Sequence, residues 1–384
     1  MKTLIHANTI FTPEVVLKKH TIVIEGKKIT AITPQYVMPD QNDLVINAQD
    51  FYVTPGLIDI HVHGALGADT MDATSESLER MGTFFAQHGV TSFLPTTMTE
   101  TRENILSAIK NVAVASSPLD SAKWLGVHIE GPYFNPNHRG AQPEYNLRDA
   151  EPSEYEKWVE TGAVKLVSIA PERKGSLQFI DYGLPKGIEF SIGHTGATYE
   201  QVIEAANHGA RQATHTFNGM LGLHHRKPGT VGGILRDNRI FAQVIADGIH
   251  LHPAVVDLII RAKGIQRTIL ITDAISATGL DDGKYELGGE SIHVINGISR
   301  TESGVLAGST LTLDKAIRNV MKFSARSFEQ VLPMATSVPA TAMHWQNKKG
   351  FLTPGADADI TIFNQFYQVE ITIVEGKVVY KNTN

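Results

Sequence analysis

Cysteine is absent from all 384 residues. The chain therefore has no disulfide, no thiolate nucleophile and no thiolate ligand, so any metal must be held by imidazole and carboxylate. An excess of one charge is lacking too: 34 lysines and arginines stand against 40 aspartates and glutamates, and the pI is near 6.2. That balance gives no electrostatic case for a nucleic acid or other polyanion as partner. No apolar run approaches the length of a membrane span, and the opening MKTLIHANTIFTP has no apolar stretch of the signal-peptide kind. No membrane association is expected, and a cytoplasmic location is. Low-complexity segments and short-period repeats are also missing.

What is present is histidine at a particular place. In LIDIHVHG (57–64), His61 and His63 stand two residues apart at the end of an apolar run. In a strand, residues i and i+2 point to one face, so both imidazoles would leave the same strand end together, as a metal site requires. Similar strand ends recur downstream: WLGVHIEGP carries Glu130, IEFSIGHTG carries His194, ARQATHTFN carries His215 and TILITDAIS carries Asp273. Five such ends point to one convergent site.

The length suits one barrel with a small appendage. Eight β-like runs (LIDIHVH, VTSFLPT, WLGVHIE, VKLVSIA, IEFSIGH, ARQATH, FAQVIAD, TILITD) alternate with helical stretches. This predicts an α/β fold, a (β/α)8 TIM-type barrel. Helices are expected over 75–88, 100–114, 198–208, 253–263 and 312–324. The stretch after VKLVSIA reads as a poor helix, and glycine-rich 218–236 reads as a loop. An insert over 279–308 has alternating β character and is expected to pack beside the active site or extend it. Both chain ends are strand-like, one turning at Glu25-Gly26-Lys27 and the other at Glu375-Gly376-Lys377. Neither end can bury a core alone, so one discontinuous β domain from 1–53 and 345–384 is expected beside a barrel over 54–344. Catalytic groups of such a barrel sit at the C-terminal strand ends, where His63, Glu130, His194, His215, Asp247 and Asp273 fall.

Glu130, His194 and His215 would give a divalent cation three ligands and leave a position open for water. Such a metal brings the pKa of its water to about 7 and polarises a carbonyl. His61 and His63 could hold a second cation, with Glu130 bridging. Asp273 is the natural general base: it can take the proton of the attacking water and return it to a leaving amine. Taken singly, each has a plainer reading, a hydrogen-bonded core histidine or a helix-capping carboxylate. Taken together they fit a site, since a core has no reason to put all of them on one rim.

LIDIHVHG, GVHIEGPYFN, SIGHTGA, ATHTFNGM, IADGIH, ITDA and LAGSTLT, in this order, resemble the amidohydrolase superfamily and, within it, the N-acetylglucosamine-6-phosphate deacetylases. The resemblance spans essentially the whole chain. Most other amidohydrolases carry a lysine, often carboxylated, at the bridging position, where this chain has Glu130. The resemblance implies one or two divalent metals per subunit, zinc first with iron, manganese or cobalt as alternatives. It implies a small amino-sugar phosphate as substrate and a homodimer or higher homo-oligomer. Carried over by position, it implies that Ala141 and Gln142 contact the sugar and that Asn218 and Gly219 lie near the phosphate. Arg226 then binds the phosphate, His250 touches the substrate, and Leu306, Ala307 and Gly308 close over it. Members often have histidine where Gln142 stands and alanine where Gly219 stands. The implied reaction is deacetylation of N-acetylglucosamine 6-phosphate by a hydroxide formed on the metal, with Asp273 as general base and acid. Deacetylation of the C4 epimer, N-acetylgalactosamine 6-phosphate, is the alternative. Hydrolysis of cyclic amides is disfavoured by the missing lysine, and a non-catalytic sugar-phosphate sensor is the reading from another class.

Overall fold

The computed structural model describes residues 2–383. Eight parallel strands form the centre: Leu57–Val62, Val90–Thr97, Val127–Glu130, Val164–Ile169, Glu189–Ile192, Gln212–Ala213, Phe241–Ile245 and Thr268–Ile271. Each falls on one of the eight runs read from the sequence. These strands are covered on both faces, which explains their near-continuous apolar character. The last returns to the first, Asp273 N donating to His61 O at 2.9 Å and His63 N to Ala274 O at 2.7 Å, so the sheet closes into a barrel.

The five expected helices are present, among them Ser75–Gln87, Arg102–Val114 and Pro253–Lys263. The first begins where the Thr74 side chain accepts from Ser77 N, and it buries Leu78, Met81, Phe84 and Phe85 along one face, an N-cap followed by an apolar stripe. One expectation fails. Within the predicted loop 218–236, Gly229–Arg236 is a helix. Glycine costs about 1 kcal/mol per helical position, but fully burying Val231 and Ile234 returns roughly 1.5–3 kcal/mol each. The glycine also permits the packing, because a Cβ on Gly233 would lie 2.8 Å from Val202 Cβ on the helix Tyr199–His208.

Strands from both chain ends join in one seven-stranded sheet apart from the barrel. Its two EGK turns meet: Lys27 Nζ lies 2.7 Å from Glu375 Oε2. The insert folds as a three-stranded antiparallel sheet, Gly283–Leu287, Glu290–Ile295 and Ile298–Thr301. Among the described residues no helix is long and apolar enough to cross a membrane.

Candidate active site

The site is made where the barrel strands stop pairing. His61 lies within its strand and Glu130 ends one, while His194, His215, Asp247 and Asp273 each lie two residues past a strand's last residue. Leaving the ladder frees the backbone to turn, and three of these residues turn into the left-handed region: φ is 46° at His194, 26° at His215 and 53° at Asp273. Residues other than glycine hold such angles only where their surroundings impose them.

Two buried ligand groups result, one of Glu130, His194 and His215 and one of His61, His63 and Asp273. Glu130 joins them. Its Oε1 is 3.1 Å from His215 Nε2, 3.3 Å from His194 Nε2 and 3.5 Å from His61 Nε2, and its Oε2 is 3.3 Å from His63 Nε2. Asp273 Oδ1 lies 3.4 Å from His61 Nε2 and 3.2 Å from His63 Nε2.

The donor set fits a cation. Nδ1 of His194 meets the His138 carbonyl at 3.0 Å, and Nδ1 of His63 meets the Thr96 carbonyl at 3.2 Å. A carbonyl only accepts, so Nδ1 carries the proton and the neutral ring presents its Nε2 lone pair. His194 and His215 bring their Nε2 atoms within 3.1 Å of each other, beside a carboxylate oxygen, an arrangement that needs positive charge at its centre. The titration behaviour of the protein alone agrees. Burial lowers the pKa of His63, but the hydrogen bonds and charges of Asp273 and Glu130 outweigh it and raise it to about 10. Burial would raise Glu130, yet His61, His194 and His215 hold it well below the usual carboxylate range. Asp273 is likewise lowered by His61 and His63 against the effect of its burial. Two carboxylates here retain positive charge, which a divalent cation supplies without a proton.

The sequence pattern of the Amidohydrolase family matches residues 52–379. The chain belongs to the amidohydrolase family. It is 42% identical over 329 residues to the N-acetylglucosamine-6-phosphate deacetylase of Vibrio furnissii, covering 85% of this chain and 82% of that protein. It is 35% identical to the N-acetylgalactosamine-6-phosphate deacetylase of Escherichia coli O157:H7, covering 98% and 99%. Among solved structures, it superposes with a TM-score of 0.90 and 29% identity on a mutant N-acetyl-D-glucosamine-6-phosphate deacetylase from Mycobacterium smegmatis in complex with N-acetyl-D-glucosamine-6-phosphate, covering 99% and 100%.

In this amidohydrolase one cleft collects most of the residues singled out from the sequence: His63, Glu130, Ala141, Gln142, His194, His215, Asn218, Gly219, His250, Asp273, Leu306 and Gly308 all line it. His250 is held by Asp247, with Nδ1 2.7 Å from Oδ2. Burial lowers its pKa, but the Asp247 hydrogen bond and charge raise it overall, favouring the form whose Nε2–H is a donor. Gly219, with φ at 59°, allows a close approach, since a Cβ there would lie 2.8 Å from His138 O and 2.9 Å from His194 Nδ1. Gln142 spends its amide on the protein, donating to Glu130 Oε2 at 2.7 Å and accepting from Thr99 N at 2.8 Å. Ala307 is buried behind its neighbours, in a small cluster with Ile275, Leu287 and Ile292. Arg226 stands outside the cleft lining. It is exposed, with Nη1 2.6 Å from His225 Nε2.

Four further residues belong to the site and were not read from the sequence. Glu172 accepts from Asn135 Nδ2, Thr195 Oγ1 and Gly196 N at 2.9, 2.5 and 2.7 Å, pinning the turn that carries His194. His128, kept neutral by burial that pushes its pKa well down, bonds Ser168 Oγ at 2.8 Å and sets its ring edge-on to His61 at 4.7 Å. Met98 and Leu287 line the cleft; the alternation in the insert was the only signal for Leu287.

Proposed function

We propose that this amidohydrolase removes the acetyl group from N-acetyl-D-glucosamine 6-phosphate in the cytoplasm, giving D-glucosamine 6-phosphate and acetate, as a step of amino-sugar catabolism. The observation that carries this reading is the pair of buried ligand groups joined by Glu130, in a chain 42% identical to a deacetylase of that name.

Glu130, His194 and His215 would hold one divalent cation, and His61, His63 and Asp273 a second. Zinc is our first choice, with iron, manganese or cobalt also suited to imidazole and carboxylate. A cation there supplies Lewis acidity, polarising an amide carbonyl and acidifying water. Asp273 takes the proton of the attacking water and returns it to the departing nitrogen. His250, oriented by Asp247, offers Nε2–H to the carbonyl oxygen as negative charge develops there. Gln142 holds Glu130 in place with a charge-assisted hydrogen bond. Ala141, Asn218, Gly219, Leu306 and Gly308 wall the sugar.

Arg226 is assigned to the phosphate. Its exposure outside its own cleft supports a homodimer in which this loop completes the neighbouring subunit's pocket. Mixing Arg226→Ala with Asp273→Asn protein would then restore part of the activity in hybrid dimers, and no restoration would exclude the shared pocket.

The C4 epimer is the second reading, favoured by the 35% identity to the Escherichia coli enzyme over nearly the full length of both chains. Acetate release from each epimer by protein of measured metal content tests both. Faster turnover of the galactosamine compound would transfer the assignment, and binding of either without acetate release would leave a sugar-phosphate sensor.

A further inference from the structure

The barrel closes without a regular ladder. From Leu57–Val62 round to Thr268–Ile271, each neighbouring pair of strands is joined in parallel register, but the last meets the first at an isolated bridge between Val62 and Ala274, with a few main-chain bonds beside it. One of the two ligand groups straddles this seam. His61 and His63 lie on one side and Asp273 on the other, with His63 Nε2 and Asp273 Oδ1 3.2 Å apart. Asp273 itself has φ at 53°, a conformation its surroundings must impose.

Asp59 fastens the seam. It is 1% exposed and stands two residues before His61, on the same face of the strand. Its Oδ2 accepts from Thr272 Oγ1 at 2.6 Å, while Oδ1 accepts from His61 N at 3.2 Å and Thr272 N at 3.4 Å. Burying a carboxyl is costly unless it is bonded, and these bonds reach both sides of the seam. Thr272 passes the hold to Asp273. Its hydroxyl accepts from Ala274 N at 3.2 Å and its carbonyl accepts from Ser309 Oγ at 2.6 Å. Ser309 N in turn donates to Asp273 O at 2.8 Å.

We propose that Asp59 is a positioning residue of the active site: acting through Thr272, it sets the separation of Asp273 from His61 and His63 without touching the substrate. The cleft lining does not include it. The inference rests on the roles proposed above for those three residues.

The test uses the full chain loaded with zinc, comparing wild type with Asp59→Asn, Thr272→Val and the conservative Thr272→Ser. Kinetics, melting temperature and zinc stoichiometry by elemental analysis are measured on each. Asp59→Asn and Thr272→Val are expected to lose roughly tenfold or more in kcat with KM within about threefold, since misplaced groups act on the transition state rather than on binding. Thr272→Ser, which keeps the hydroxyl, should retain most of kcat. A lowered melting temperature with kcat within about twofold of wild type would make Asp59 merely structural and overturn the proposal, as would a Thr272→Ser variant as slow as Thr272→Val. If wild-type protein releases no acetate, the proposed function falls, and the clamp is then judged on zinc titration alone. A weaker second equivalent in Asp59→Asn, with the first unchanged, supports it, and identical titrations overturn it.

Discussion

The inner end of the cleft and its outer rim are built differently. At the inner end, six candidate ligand side chains leave barrel strand ends, all of them buried, with the His63 and His194 rings fixed by main-chain carbonyls and Glu130 held by Gln142. At the rim, the loop 221–227 is exposed throughout, and Arg226 bonds its own neighbours, His225 through Nη1 and His224 through its main-chain N. On the proposed function, chemistry that must hold atoms to fractions of an ångström would sit on the rigid scaffold, and recognition of a distant group on a loop. Loss of an inner residue should therefore abolish turnover, and loss of a rim residue should weaken binding.

The sharpest test is His194→Ala or His215→Ala. With one of three ligands gone from a buried group, the cation should be lost and activity should fall by roughly 10³-fold or more, read as metal content and acetate release on the same samples. Full metal content in either variant would remove that residue from the ligand set. Next comes Asp273→Asn, expected to keep at least the ion at Glu130 and to lower kcat by roughly 10²–10⁴; unchanged kcat in metal-loaded protein would end its role as general base. At the rim, Arg226→Ala should raise KM for the 6-phosphate substrate by roughly 10–100-fold, the worth of one or two charge-assisted hydrogen bonds. Turnover of unphosphorylated N-acetylglucosamine should hardly change, and equal losses on both substrates would show that Arg226 does not read phosphate. The smallest effect is expected between the two regions. Gln142→Leu removes the donor to Glu130 but no ligand, and should cost about tenfold in metal affinity or activity, measured by competition with a chelator. A Gln142→Leu effect on substrate KM alone would return Gln142 to contacting the sugar.

Legibility followed the same division. The HxH pair could be read because a strand's two-residue period puts His61 and His63 on one face whatever the rest of the fold does. Glu130, His194 and Asp273 could be read because each ends an apolar run of the kind a buried parallel strand uses, and His215, at the end of the more polar ARQATH, because it falls in the same series of strand ends. The helix Gly229–Arg236 could not, since its glycines argue against a helix locally and only the closeness of Val202 explains them. Asp59 lies inside the run LIDIHVHG, but no local signal sets it apart. Nothing in LIDIHVHG says that Thr272, 213 residues later, will meet it.

Composition and periodicity by themselves determined which donor groups are on offer, imidazole and carboxylate without thiolate, and the order of strands and helices that carries those residues to one rim. These are local matters, set by residue type and by the geometry of a single element. The tertiary structure alone decided that Glu130 joins the two ligand groups, that Asp273 turns into a left-handed conformation, and that Asp59 fastens the seam beneath them. Each of these depends on a contact between elements far apart in the chain, and such contacts exist only once the barrel has closed.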